Sequence, residues 1–353
     1  VSGTGSLATA LGEAGLSAGE YGGRVTALEL RRLLEAHIST KWPPIFIWGP
    51  PGVGKSSIVR QIADAGHLRL IDLRMLLMDP VDIRGLPVPY RGKVRWAPPE
   101  FLPSGGKGIL FLDELNAAPP LVQASVYQLV LDRKVGEYAL PPGWYVVAAG
   151  NRESDQSIAH AMPSALLSRF EHLELVADLE SWKSWAFAAG VDPSVIAFLE
   201  FRPTLLSQSP GTSKAYPCPR TWEMVSRVLP LDLGDREMRA AIEGCVGVGP
   251  ATEFDLFRKS LNARPSLEKI IAGADLIPAD PATGYAVVTG LVARYAREKG
   301  RVPRLIEYSE HLGKNGLREL EVLLVRDLVR ANPSAAQHPA FRAWAAHNVE
   351  ALG

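Results

Sequence analysis

The sequence predicts an α/β fold, a five-stranded parallel sheet between helices, followed by an all-helical region. Three observations carry this. Short apolar runs of strand type alternate with helical apolar spacing up to about residue 175. One of these runs, Ile45-Phe46-Ile47-Trp48, passes through a glycine-rich loop directly into a helix. From about residue 178 the alternation stops and helices dominate.

The bulk properties bound the answer. At 353 residues the chain has room for one large or two to three modest domains. Apolar residues make up 47% and charged residues 22%, ordinary values for a globular protein with a full core. The formal net charge is zero, so no global field steers the chain to nucleic acid or an anionic membrane. Two cysteines, Cys218 and Cys245, cannot build a disulfide framework and have no metal-type spacing, which predicts a reducing, cytoplasmic setting. The seven histidines are scattered, with no pair at metal-ligand spacing. Residues 1–23 are rich in Gly, Ala and Ser. They lack a basic region followed by an apolar stretch, and so read as a flexible arm rather than a signal peptide. No apolar run approaches the roughly 20 residues needed to span a bilayer.

In chain order, residues 26–38 form an amphipathic helix with Thr26 near its cap. After the strand at 45–48 comes Gly49-Pro50-Pro51-Gly52-Val53-Gly54-Lys55-Ser56, then Ser57 and a helix with apolar residues at 58, 59, 62 and 63. The loop fits G-x-x-x-x-G-K-S/T in the strand–loop–helix setting that makes the pattern a phosphate cradle. The glycines let backbone N–H groups converge on one point, and the helix aims its positive end there. Lys55 can reach the β/γ-phosphates of a nucleotide, and the Ser56 hydroxyl can ligate Mg²⁺.

The next strand is Leu68–Leu73. Residues 79–103 are broken by Pro80, Pro87 and Pro89 and read as an inserted hairpin at 83–96 with its tip at Arg91-Gly92-Lys93. Arg91, Lys93, Arg95 and Trp96 either touch a polymer by charge and stacking or form a solvated turn over a packed Trp.

Gly108-Ile109-Leu110-Phe111-Leu112 is a strand ending in the adjacent acids Asp113 and Glu114. Neighbours on a strand point to opposite faces, so Asp113 would serve the Mg²⁺ shell and Glu114 would polarise an attacking water. Asn116 and a proline turn lead into a helix at 121–132, and 133–143 has the Gly/Pro punctuation of a second hairpin. Trp144–Ala149 is a buried strand followed by Gly150-Asn151, where an amide can meet a phosphate oxygen or a water, or simply make a turn. A short helix ends in Ser168-Arg169-Phe170, and 171–175 is the fifth strand. Helical spacing then marks 179–188, 193–200, 220–229, 235–246, 251–260, 284–298, 317–330 and 339–351.

Phosphate loop, acidic pair, Asn at a third strand end, Arg, then a helical region is a nucleotide-hydrolase order. Together these residues resemble the AAA+ ATPases, and within them the MoxR-like branch, over about residues 24–260. Leu112–Gln123 resembles the Walker B segment of that branch, Met78–Gly85 its helix-2 insert, and the 133–143 hairpin the insert before sensor 1. The resemblance implies Walker A at Gly49–Ser56, Walker B at Asp113 and Glu114, sensor 1 at Asn151, an arginine finger acting in trans at Arg169 with Arg152 as its rival, and sensor 2 at Arg220. It implies a nucleotide-binding core over 24–177 and a helical lid over 178–260, while residues 261–353 read from their apolar spacing as a helical extension. The segment after Asn151 departs from the form common among MoxR-like proteins, and the tail beyond 260 matches nothing named.

The implied activity is hydrolysis of ATP with Mg²⁺ by a ring, usually a hexamer, which remodels a protein client. MoxR-like proteins commonly pair with a partner carrying a von Willebrand factor A-type domain. A nucleic-acid motor is the first alternative, motivated by the basic hairpin and opposed by the zero net charge. A non-catalytic scaffold gated by nucleotide is the second, opposed by the intact Lys55, Asp113 and Glu114.

Overall fold

The computed structural model describes residues 20–155, 160–211, 213–261 and 264–348. The chain divides into two compact units, Val1–Ala177 and Asp178–Gly353, each with its own core. Most of the arm, residues 1–19, lies outside the described residues. Its end does not behave as an arm. The Tyr21 ring packs on Trp48, with centroids 5.1 Å apart, and Gly23 enters the sheet.

The first unit begins with β1 (Gly23–Val25) and α1 (Ala27–Thr40). Thr26 caps α1 in a capping box with Glu29, which satisfies two otherwise orphan N–H groups. Then come β2 (Ile45–Trp48), α2 (Lys55–Ala65) and β3 (Arg69–Arg74). Next are the short α3 (Pro80–Arg84) and the hairpin β4 (Leu86–Tyr90) and β5 (Lys93–Ala97). β6 (Gly108–Asp113), α4 (Pro120–Asp132) and a small hairpin, β7 (Lys134–Val135) and β8 (Tyr138–Ala139), follow. β9 (Trp144–Gly150), α5 (Ser164–Leu167) and β10 (Glu171–Leu175) complete the unit.

The sheet is parallel and has the order β1-β10-β2-β9-β6-β3. It has six strands where the sequence predicts five. The sixth is β1, an edge strand of three residues whose sole large apolar side chain is Val25, too short to show alternation. The inner strands are buried on both faces, as parallel strands between helices must be. Ile45, Ile47, Phe111, Tyr145 and Val147 share a cluster with Leu30, Leu34, Val59 and Ile62 of α1 and α2. Phe46, Leu110, Leu112, Val146 and Ala148 share the other with Val122, Val126 and Leu129 of α4. This alternation of faces fixes which strand ends stand side by side.

Both predicted hairpins are present. In β4–β5 the turn residues Arg91 and Gly92 have φ of 50° and 75°, the positive pair that a two-residue hairpin loop of type I′ requires. All ten strand residues of this hairpin are exposed. Arg95 lies 3.5 Å from Glu137 between β7 and β8, so the two hairpins are neighbours.

The second unit is helical: α6 (Leu179–Ala189), α7 (Pro193–Phe201), α8 (Pro219–Val228), α9 (Asp235–Val246) and α10 (Val248–Ser260), then α11 (Leu267–Ile271), α12 (Pro281–Tyr295), α13 (Val302–Lys314), α14 (Arg318–Ala331) and α15 (Pro339–His347). Helices α11 and α13 are absent from the sequence prediction. For α13 the spacing of Val302, Leu305, Ile306, Ser309 and Leu312, all buried, is a helical signal, and Pro303 sits in the first turn, where proline is tolerated. The end of the predicted 339–351 helix lies outside the described residues beyond 348. Lys183 of α6 is fully buried. It is ion-paired with Glu200 of α7 and, at 2.8 Å, with Asp327 of α14.

Candidate active site

The carboxyl ends of β2, β9 and β6, three adjacent strands, converge on one place, where ligands bind in open α/β sheets. Each end carries part of the site.

The loop after β2 is built for close backbone approach. Gly52 and Gly54 have φ of 80° and 113°, a region that side-chain-bearing residues rarely adopt, and Gly54 leads straight into α2. The Val53 side chain is buried in the core, so this residue can offer a ligand only its backbone. Pro50 and Pro51 are half-buried, and Ser57 is exposed on the first turn of α2. The Lys55 side chain folds back over the loop. Its ammonium donates to the carbonyls of Gly49 at 2.6 Å and Pro50 at 3.2 Å, and to Asn151 Oδ1 at 2.8 Å.

At the end of β6, Ser56 Oγ donates to Asp113 Oδ2 at 2.7 Å, and Asp113 Oδ1 accepts the Glu114 N–H at 3.0 Å. Asp113 is buried, its side chain 4% exposed. Glu114 departs from the expected alternation of faces. Strand β6 stops at Asp113, and Glu114 has left-handed backbone, φ 58° and ψ 35°, ahead of a single tight turn at 115–117. Its direction is set by that kink and not by the pleat. A non-glycine residue held there costs on the order of 1–3 kcal/mol, a strain that clusters at functional sites.

At the end of β9, Asn151 is positioned from behind. Asn116 Nδ2 donates to the Asn151 carbonyl at 2.7 Å. Asn116 is buried and its Oδ1 has no partner among the described residues. A Cβ on Gly150 would run into that Oδ1 and into the Phe46 ring, so the glycine is required for this packing. Nothing in the local sequence pattern singles out Asn116. It is a polar residue in an otherwise apolar, buried turn.

Arg74, at the end of β3, is likewise not marked by the sequence pattern. The register pairs it with Asp113, and its Nη1 lies 3.2 Å from Asp113 Oδ2.

The two candidate arginine fingers differ sharply. Arg152 is tied within its own unit, to Asp155 Oδ1 at 2.7 Å and Glu174 Oε1 at 2.9 Å. Those hydrogen bonds, Asp155 first, raise its pKa further above the usual guanidinium value. Arg169 has no carboxylate partner among the described residues. It donates to Ser168 Oγ at 2.9 Å, lies 5.9 Å over the Tyr127 ring, and its buried Nε is unpartnered. Arg220, exposed, is the second residue of α8 in the other unit.

Lys55, Ser56, Asp113 and Asn151 thus form one connected cluster, with Glu114 bonded through its backbone; Arg169 makes its contacts apart from it. The hydroxyl and carboxylate pair Ser56–Asp113 are hard oxygen donors that fit Mg²⁺, which is bound through few protein oxygens together with substrate phosphates. Among the described residues no group of three or more His, Cys, Asp or Glu could cage a metal. No described helix is long and apolar enough to cross a membrane.

Residues 44–170 match the family model of the AAA domain, dynein-related subfamily. No curated protein matches the chain. Among solved structures, the chain is similar to a RuvB mutant from Thermotoga maritima, with 17% identity, 81% of this chain and 85% of that chain covered and a TM-score of 0.39. It is also similar to NtrX from Brucella abortus in complex with ATP, with 18% identity, 90% of this chain and 72% of that chain covered and a TM-score of 0.40. The α/β unit, with its glycine-rich loop and parallel sheet, has the P-loop NTPase fold, and its segment 44–170 is similar to the AAA domain of the AAA+ ATPases.

Proposed function

We propose that the chain hydrolyses ATP with Mg²⁺ as a ring-forming, MoxR-like remodelling protein acting on a protein client. The observation that carries the reading is the joined cluster in which Lys55 bonds Asn151 while Ser56 bonds Asp113. It supports a site with one cation for the β/γ-phosphates, one oxygen pair for Mg²⁺ and one amide near the reacting phosphoryl group. Gly49–Ser57 supply backbone and hydroxyl donors, and Glu114 orients water. Mg²⁺ at Ser56 and Asp113 would neutralise phosphate charge and stabilise the leaving oxygen.

Half of the charge compensation is assigned to a neighbouring copy. Arg169, with no carboxylate partner among the described residues, suits a trans contact, whereas Arg152 is occupied by Asp155 and Glu174. Trans arginines supply roughly 10³–10⁵ in rate. A hexamer follows from the resemblance, as do a von Willebrand factor A-type partner, a cytoplasmic setting and a nucleotide contact for Arg220. The adjoining hairpins at 86–97 and 134–139 are the parts assigned to mechanical work. Their exposed Tyr90, Arg91, Lys93 and Trp96 favour one second reading, a nucleic-acid motor.

The deciding experiment measures phosphate release by protein at ring-forming concentration, with Glu114→Gln as control. Release that depends on ATP and Mg²⁺ and is lost in the control is expected; release no higher than the control would sink the hydrolase reading and leave a scaffold. Salt-dependent binding of DNA or RNA would favour the motor over a protein client.

A further inference from the structure

Arg74 ends β3, and the parallel register sets it beside Asp113. Its Nη1 lies 3.2 Å from Asp113 Oδ2, the same oxygen that accepts the Ser56 hydroxyl. The two side chains differ in burial: Asp113 is 4% exposed and Arg74 49%. An isolated buried carboxylate is strongly disfavoured, so a compensating charge is needed, and the guanidinium supplies it. Arg74 also has somewhere else to go. Its Nε lies 3.7 Å from Asp72 Oδ1, and Asp72 is itself held by Arg60 Nη2 at 3.1 Å.

We propose that Arg74 is the resident counter-ion of Asp113 and is exchanged for Mg²⁺ when the metal–nucleotide binds. The inference rests on the nucleotide-site reading above and deepens it. The reason is charge. A cation held by Ser56 and Asp113 and a guanidinium on the same Asp113 oxygen repel each other, and the low local dielectric strengthens that repulsion. Arg74 therefore stabilises the carboxylate while the cation is away and loosens the cation once it arrives. Asp72 receives the displaced arginine, so the exchange leaves no charge stranded. Arg74 is a positioning residue: it acts on the metal site through Asp113.

The test follows binding of a fluorescent ATP analogue to the full chain, first in EDTA and then as Mg²⁺ is titrated in, for wild type, Arg74→Gln and Arg74→Lys. Thermal melts are run without and with Mg²⁺ and nucleotide. Arg74→Gln should lower the melting temperature of the ligand-free protein and recover most of that loss when Mg²⁺ and nucleotide are present. Its half-saturating Mg²⁺ concentration should fall about tenfold, the scale of one close charge contact at a partly exposed site. Arg74→Lys, which keeps the charge, should stay near wild type in both readouts. Should Arg74→Gln fail to fold, Arg74→Met, which keeps a long aliphatic stem, takes its place. A half-saturating concentration that is unchanged or higher, with nucleotide still bound, overturns the exchange and leaves the nucleotide site intact. Wild-type protein that binds no nucleotide in either condition overturns the nucleotide-site reading, and the exchange with it.

Discussion

Lys55 Nζ donates to Asn151 Oδ1 at 2.8 Å, joining the loop after β2 to the end of β9. The bond is possible because β2 and β9 are adjacent and in register, Trp48 opposite Gly150. A neutral amide aims the ammonium without cancelling its charge, and Asn116 holds the amide's own backbone at 2.7 Å. The fold thus fixes the direction of the ammonium, and under the proposed function this would be a preorganised charge of the kind that lowers a barrier.

Asn151→Ala should therefore separate binding from turnover. Affinity for ATP, measured by calorimetry, should weaken by less than tenfold. Phosphate release should fall about 10²-fold, typical of losing one preorganised polar group at a reacting centre. Equal losses in both would mean that Asn151 only helps to hold the nucleotide.

The two arginines give opposite predictions. Arg169→Ala should leave the melting temperature and ATP binding near wild type and cut turnover about 10³-fold, with partial recovery on mixing with Lys55→Ala subunits. Arg152→Ala should instead lower stability by about 3–5 kcal/mol in a denaturant melt, since it strands Asp155 and Glu174, which are 7% and 6% exposed. A stable, inactive Arg152→Ala that recovers on mixing would reverse the two roles.

Gly150→Ala tests the packing behind Asn151. The new methyl meets Asn116 Oδ1 and the Phe46 ring and must push Asn116 off the Asn151 carbonyl. A loss of about 1–3 kcal/mol in stability is expected from overpacking. Turnover should drop further than in a surface variant of equal stability, because the amide loses its support. Wild-type turnover per folded molecule would show that Asn151 does not need Asn116.

In the second unit, Lys183→Met should cost about 3–5 kcal/mol by leaving Glu200 and Asp327 buried without their shared lysine. The sign of its pH dependence follows from Glu200, whose carboxyl is raised by burial while Lys183 opposes the shift. Without Lys183 the folded state favours the protonated carboxyl more strongly. A raised folded pKa gives stability that is lost as pH rises through it, so the deficit should grow from acid to neutral pH. Denaturant melts across pH measure this; a deficit independent of pH would place the cost in packing.

The order of strands and helices in the first unit was legible because each of its central strands is an apolar run ended by turn residues. β1 escaped because three residues with one large apolar side chain carry no period, and its strand character comes from pairing with β10. The hairpin at 86–97 was legible from Arg91-Gly92 and its flanking prolines. Helix α13 had a readable apolar spacing but carries Pro303 in its first turn, and a proline reads as punctuation in sequence. In the site, the glycine-rich loop and the acids at 113–114 stood out because their chemistry is contiguous. The kink at Glu114 did not, since a strand ending in two acids reads the same whether it continues or turns.

The loop Gly49–Ser56 carries its conformation in its own residues: glycines where φ must be positive, a lysine and a serine at the helix start. That is why nucleotide chemistry is legible in the sequence alone. The Lys55–Asn151 bond, the Arg74–Asp113 pair, the support of Asn151 by Asn116 and the tying down of Arg152 join residues distant in the chain or set by local side-chain geometry. Each depends on strand order, on register or on how two side chains meet, and no local pattern encodes these. Folding the sheet is what brought these candidate residues together at one end of it, and distinguished the arginine that is tied down from the one that has no carboxylate partner among the described residues.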